Sequence, residues 1–310
     1  MTDSKVLSLV IRARNASSDL QRCLNEVMRQ LLPKHYELEI VVVDNESTDD
    51  TALVAKKFQS RIVEISAEEF TWGKALNLGI KQSRGDIIFL LSADAYPANE
   101  NWIMQMIAPF ENDKVAAVYG KQIPRPDAPI DEIVRLKKTF GNTSIMAETL
   151  PKDFTEKRGG GGIPASNACA AIRREVWKQL QYDEKISGAE DVLWTYNVLK
   201  MGRSVAYQAD AQVYHSHRDP LFRNAWRSLE LIKKNKELSG INATIIDYAR
   251  YLFSLSKRRV KNLLYPGLGL ITRIKGLLVL PLELISFCIV APFFHDQKNM
   301  SKYRSFFWGR

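Results

Sequence analysis

The apolar residues of this chain follow two spacings. Short unbroken runs, Val6–Ile11, Ile40–Val43 and Ile87–Leu91, are bounded by polar and turn residues. Such runs read as strands buried on both faces, as in a parallel sheet covered by helices. Between them the apolar positions recur near a 3.6-residue period. Leu20, Leu24, Val27, Met28 and Leu31 form one such stripe, with Asp19 placed to cap it and Pro33 to end it. A helix from about Asp49, a strand near Arg61–Ile65 and a helix over Trp72–Gln82 complete the first half. This β-α-β-α-β order predicts an α/β fold with a doubly wound, mostly parallel sheet flanked by helices.

Trp102–Phe110 is expected to be helical and Val115–Tyr119 to be a strand. Residues 120–166 read as irregular, punctuated by five prolines and the run Gly159–Gly162. Loops of that length are usually active-site segments or disordered, and the glycine run suits a mobile lid. A helix from about Arg173, another from Ala189 to Met201 and two short strands ending at His215 close the domain. The tail differs: 222–262 looks helical and basic, and 263–294 is apolar but broken by Pro266, Gly267, Gly269, Arg273, Lys275, Pro281, Glu283 and Pro292. Its charge-free stretches fall short of the ~20 apolar residues a spanning helix needs. The expected organisation is a catalytic domain over 1–220 and a C-terminal basic helical extension over 221–310.

Charge sharpens that division. Residues 221–310 carry sixteen Lys and Arg against five Asp and Glu, a net +11, which leaves −2 for residues 1–220 within the overall +9. A basic tail could meet nucleic acid or an anionic membrane. Its cations are interleaved with Leu, Ile and Phe and form no recognition element, which argues against nucleic acid. They suit a segment lying in the membrane interface. Cys23, Cys169 and Cys288 are far apart, with no metal spacing and no even disulfide set. The start, Met-Thr-Asp-Ser-Lys, runs into the first strand without a signal-peptide apolar region. The expectation is a cytoplasmic protein, peripheral on the cytoplasmic face of the cell membrane.

Candidate chemistry collects where the predicted strands end, the usual ligand edge of an open α/β sheet. Arg12 and Arg14 follow the first strand and Asp44-Asn45 the second, a set suited to a nucleotide base or ribose. The same Asp-Asn-x-Ser also makes a turn or helix cap. Asp94, after the strand ending at Leu91, is a candidate ligand for Mg2+ or Mn2+, with diphosphate oxygens supplying other positions; a helix cap is the alternative. His215 and His217 share a face if the segment is extended, and nitrogen ligation tends to favour Mn2+. Glu190 and Asp191 open a helix, where acids also simply suit the dipole. Asp191 is the candidate general base and Glu190 the alternative. Asn167 could hydrogen-bond a sugar hydroxyl.

Taken in order, Asp44-Asn45-Glu-Ser-Thr, Gly73-Lys74-Ala-Leu-Asn77, Gly85-Asp86 and Ser92-Ala-Asp94-Ala-Tyr-Pro resemble the family 2 glycosyltransferases, which have the GT-A fold. Gly120-Lys-Gln122-Ile-Pro-Arg125-Pro, Ser166-Asn167, Arg173-Arg-Glu, Ala189-Glu190-Asp191 and Val213-Tyr-His215-Ser-His217 look like its rhamnosyltransferase-like branch, which builds surface polysaccharides. The resemblance covers roughly residues 5–220. It implies a nucleotide-diphosphate sugar donor near Arg12, Arg14, Asp44, Asn45, Lys74, Asn77 and Ser92. It implies a divalent cation on Asp94 with His215 or His217, a base at Asp191, and a glycan or polyprenyl-linked acceptor near Gln122, Arg125 and Asn167. The first acid of the family's Asp-x-Asp motif is Ser92 here. That leaves the metal site to be completed by His215 and the diphosphate, or makes metal dependence weak. The activity implied is inverting sugar transfer; the alternative is a catalytically degenerate nucleotide-binding scaffold.

Overall fold

The computed structural model describes residues 5–155, 160–186 and 188–216, and scattered positions between 250 and 285. In chain order the elements are β1 (Lys5–Ala13), α1 (Ser17–Val27), β2 (Tyr36–Asp44), α2 (Thr51–Lys57), β3 (Arg61–Glu64), α3 (Trp72–Lys81), β4 (Ile87–Ser92), β5 (Tyr96–Pro97) and α4 (Trp102–Ile107). Then follow β6 (Val115–Ile123), α5 (Ile130–Thr139), β7 (Ile145–Ala147), β8 (Cys169–Arg173), α6 (Arg174–Gln179), α7 (Glu190–Lys200) and β9 (Ser204–Tyr214). The chain divides into two compact units, one of residues 1–125 and 136–216, the other of 126–135 and 217–310.

Among the described residues of the first unit nine strands form one sheet, ordered β3-β2-β1-β4-β8-β6-β9-β5, with β7 paired to β9. The unbroken apolar runs explain its two-sided core. Successive residues of a strand face opposite ways. Val10, Val41, Val43, Ile88 and Leu90 therefore enter one cluster, with Leu76 and Ile80 of α3 and Trp194 and Val198 of α7. Leu9, Ile11, Val42, Phe89 and Leu91 enter the other, with Leu20, Leu24 and Val27 of α1 and Trp102 and Met106 of α4. Gly79 lets α3 lie flush on the sheet, since a Cβ there would meet Val10 Cγ1 at 2.5 Å and Val43 Cγ2 at 2.7 Å.

Strand directions decide what shares an edge. β1 pairs parallel with β2 and β4. β8 pairs antiparallel with both β4 and β6, and β6 runs parallel to β9. The carboxyl ends of β1, β2, β4, β6 and β9 and the amino end of β8 therefore lie along one edge.

Several expectations are corrected. The α1 helix stops at Val27, leaving Met28 and Leu31 exposed. Asp19 does not cap it: the first amides of that turn go to Thr51 Oγ1 (2.8 Å from Ala16 N) and Asp49 Oδ2 (3.0 Å from Ser17 N). Residues 120–166, expected to be irregular, contain the end of β6, α5 and β7. The pattern assigned no strand to Cys169-Ala-Ala-Ile-Arg, yet β8 is central in the sheet. Small residues carry little strand preference of their own, and the flanking strands supply the pairing. The two short strands before His215 are one, β9, with a register shift where Gly120 pairs Gln208 and Lys121 pairs Gln212.

In the second unit Ile130 and Val134 pack with Leu263 and Leu268, and Asn262 Nδ2 donates to Asp131 Oδ1 at 2.7 Å. Among the described residues no helix is long and apolar enough to cross a membrane. Most of the tail's expected basic helical stretch lies outside the described residues.

Candidate functional site

At the shared edge, one chain of contacts runs from Asp94 to Asp191. After β4, Arg125 donates to the Asp94 backbone carbonyl and to Asp19 Oδ1 (2.9 Å), with its side chain buried. The Asp94 carboxylate lies 3.4 Å from His215 Nε2, just beyond the end of β9. His215 Nδ1 lies 2.8 Å from Gln122 Oε1, and Gln122 Nε2 donates to Ser166 Oγ at 2.7 Å. Ser166 leads into Asn167, whose backbone amide lies 3.3 Å from Asp191 Oδ2 and whose Nδ2 lies 3.3 Å from Glu190 Oε1. Tyr182 OH donates to Asn167 Oδ1 at 3.1 Å.

Glu190 and Asp191 are adjacent but do different things. Glu190 is buried and pairs with Arg12 at 3.3 Å, their side chains 7% and 8% exposed. The Arg12 guanidinium in turn lies 4.7 Å from the ring centroid of Trp72, a cation–π distance. Asp191 is only partly buried, and its Oδ1 takes the Val192 amide at 2.8 Å. Burial, and then the neighbouring Glu190 charge, push its carboxyl up to about 6, against the pull of the Val192 and Asn167 amides and Arg12. A carboxylate of that basicity suits a general base near neutral pH. The residue before the pair, Ala189, is held at φ +59°. Left-handed backbone at a non-glycine residue is costly and clusters at functional sites.

On the neighbouring strands, Arg12 pairs in register with Ser92, and Ala13 with Asp44. Asp44 accepts from Ser47 Oγ at 2.5 Å, which is the turn alternative realised. Asn45 is buried, and among the described residues its side-chain Oδ1, like Arg12 Nε and Arg125 Nε, has no hydrogen-bond partner. Buried polar atoms without partners are uncommon and call for a ligand or water.

Some expected contacts lie elsewhere. Asn77 donates to Tyr182 O and Glu184 Oε1 (both 2.9 Å) and accepts from Trp177 Nε1 (3.0 Å) and Tyr182 N (3.1 Å). Its amide capacity is filled by protein partners, and it joins α3 to the 177–184 segment. Lys74 reaches out to Glu69 at 2.9 Å, and Arg14 is exposed. Gln122 and Arg125, expected at the acceptor, contact His215 and the Asp94 backbone carbonyl. Gly160–Gly162 form a turn, with Gly161 N donating to Asp153 at 3.1 Å; Arg158, Gly159 and His217 lie outside the described residues. Trp72 and Tyr182 were missed, and Ser166 was named only beside Asn167, without a role. Nothing in their spacing marks them, because their roles come from residues far along the chain.

The donor set fits a divalent cation in part. Among the described residues no group of three or more His, Cys, Asp and Glu side chains could hold a metal. Asp94 and His215 offer an oxygen and a nitrogen 3.4 Å apart. Neighbouring ligands of an octahedral ion with bonds of about 2.1 Å lie about 3 Å apart, and such ions take remaining ligands from phosphate and water.

Comparison with known proteins gives this geometry a setting. The family described as Glycosyl transferase family 2 matches residues 8–180. The chain is 30% identical over 181 residues to the O-antigen chain rhamnosyltransferase WbaN of Salmonella anatum, covering 58% of this chain and 56% of that protein. It is 30% identical over 214 residues to the O-antigen chain rhamnosyltransferase RfbN of Salmonella typhimurium, covering 68% and 66%. The chain thus matches less than two thirds of the length of either relative. The mannosyltransferase PcManGT from Pyrobaculum calidifontis, solved with GDP-Man and Mn2+, superposes with a TM-score of 0.51 at 15% identity, covering 97% of this chain and 83% of that one. The fold is GT-A.

Proposed function

Because this chain belongs to glycosyl transferase family 2, we propose that it is an inverting glycosyltransferase, moving L-rhamnose from a nucleotide-diphosphate donor to a glycan or polyprenyl-linked acceptor in surface-polysaccharide synthesis. The observation that carries the reading is the chain of contacts linking Asp94 and His215 to Asp191 along one sheet edge. The sugar rests on the two relatives named as O-antigen chain rhamnosyltransferases.

The nucleotide lies over the ends of β1 and β2. The buried Asn45 Oδ1, which lacks a partner among the described residues, accepts from its base or ribose, and the Arg12 guanidinium faces its charge. Asp94 and His215 would hold a Mn2+ or Mg2+ ion, as the fold neighbour's Mn2+ suggests. When bound, that ion supplies Lewis-acid stabilisation of the leaving diphosphate. Asp191 takes the proton from the acceptor hydroxyl as that oxygen attacks the anomeric carbon opposite the diphosphate. Catalysis is assigned to residues 1–220. Residues 221–310 hold the protein on an anionic membrane face, where Phe253, Leu264, Leu270 and Ile271, all more than 60% exposed, sit among Lys and Arg. The full chain should sediment with phosphatidylglycerol vesicles at low salt and release at high salt; no sedimentation at low salt would remove the membrane assignment.

To test the activity, the full chain is incubated with dTDP-L-rhamnose, UDP-GlcNAc or GDP-mannose, with and without Mn2+, and nucleotide release is measured. Release from the rhamnose donor, lost in Asp94→Ala, is expected. Preference for another donor overturns the sugar. The second reading, a degenerate nucleotide-binding scaffold, is favoured by Ser92 in place of the motif's first acid. Thermal stabilisation by the nucleotide without any turnover would select it.

A further inference from the structure

Resting on the reading of Asp94 and His215 as metal ligands, we propose that Gln122 is a positioning residue that sets the His215 tautomer, holding the proton on Nδ1 so that Nε2 turns its lone pair toward Asp94. A neutral imidazole carries one donor and one acceptor nitrogen, and the hydrogen bond at one decides the role of the other. Metal-binding histidines rely on such a partner for ring orientation and ligand strength.

The two nitrogens of His215 stand at different distances from their partners. Nδ1 is 2.8 Å from Gln122 Oε1, an ordinary hydrogen bond between buried groups. Nε2 is 3.4 Å from Asp94 Oδ1. The amide oxygen of Gln122 can only accept, so the proton belongs on Nδ1, and Nε2 is left on the side of Asp94 Oδ1. Gln122 holds its oxygen toward the ring because its Nε2 donates to Ser166 Oγ at 2.7 Å. The backbone reinforces the alignment. Gln122 pairs with Val213 across β6 and β9, and the His215 amide donates to Ile123 O at 3.0 Å. A residue that resembles an acceptor contact in the sequence thus acts through the histidine.

The tautomer is measured directly on metal-free, 15N-labelled full-length protein near neutral pH, by long-range proton–nitrogen correlation. The chain has four histidines, and His215→Gln identifies the signal. Nδ1–H is expected; Nε2–H in the wild type overturns the proposal. Free Mn2+ is then titrated by electron paramagnetic resonance in the presence of pyrophosphate. Gln122→Met should weaken binding about 10- to 100-fold, and Gln122→Glu, which keeps the acceptor, should restore it. Wild-type affinity in Gln122→Met also overturns the proposal. Should Gln122→Met not fold by circular dichroism, Ser166→Ala replaces it, with a shift of the tautomer signal expected and an unchanged signal counting against the anchor. Unchanged Mn2+ binding in His215→Gln removes His215 as a ligand, whereas His215-dependent binding with the wrong tautomer removes only the role of Gln122.

Discussion

In the parallel half of the sheet, β3-β2-β1-β4, the polar residues at the strand ends bond largely within and between adjacent loops. In the half built from β8, β6 and β9 they bond across long stretches of chain. In the first half Asn15 N meets Ser47 Oγ at 2.9 Å, Thr48 N meets Asn15 Oδ1 at 2.7 Å, and Asp44 turns back on Ser47. In the second half His215 reaches Asp94 beyond the end of β4, Gln122 meets Ser166 and Asn167 meets both acids of α7. The first arrangement makes a stiff cradle from local turns. The second assembles reactive groups that no local turn could bring together. Arg12 joins the two halves, through Glu190 and Trp72.

The sharpest test of this contrast is Asp191→Asn, which should lower kcat about 100- to 10,000-fold with donor KM little changed. Retained turnover would mean that the second half does not carry the base. Next comes the joint between the halves. Glu190→Ala leaves Arg12 charged and buried without its partner. A loss of about 3–5 kcal/mol is expected from denaturant unfolding, and a loss below 1 kcal/mol would show that the pair holds nothing together.

Asn77→Ala tests the claim that this residue is scaffold. It leaves Trp177 Nε1–H and Tyr182 N–H unpaired, at about 1–3 kcal/mol for each unsatisfied group. Donor KM in the folded variant should stay near wild type, and a large rise would return Asn77 to the nucleotide. The pH dependence is smaller. With the Asp191 carboxyl up at about 6, kcat/KM should fall roughly tenfold per pH unit below that point as the base is protonated. The stability sign is opposite to that of a paired acid. The native carboxyl holds its proton more tightly than the unfolded one, so its contribution drains away as pH rises from about 4 to about 6. Asp191→Asn should abolish both trends, and their persistence would assign them to another group. Ser47→Ala should be mildest, about 1 kcal/mol for the lost turn bond, with kcat unchanged. A drop in kcat would make the first half more than a cradle.

The apolar runs were enough to read β1, β2 and β4 and the helices between them, because a strand buried on both faces must be apolar throughout and no other element of that length is. They also located Asp94 and His215 at strand ends, since each follows its run directly. Three things needed the tertiary structure. β8 is made of small residues that become a strand only where β4 and β6 offer hydrogen-bonding edges, and its antiparallel insertion is what carries Asn167 to the site. The different surroundings of Glu190 and Asp191 depended on which carboxylate the Arg12 guanidinium reaches, a pairing across 178 residues. The bonding of Asn77 and Gln122 to protein partners depended on hydrogen bonds whose donors and acceptors lie as much as 107 residues apart. Local pattern reports what a segment must bury; which polar groups remain to do chemistry is settled by what the rest of the chain brings beside them.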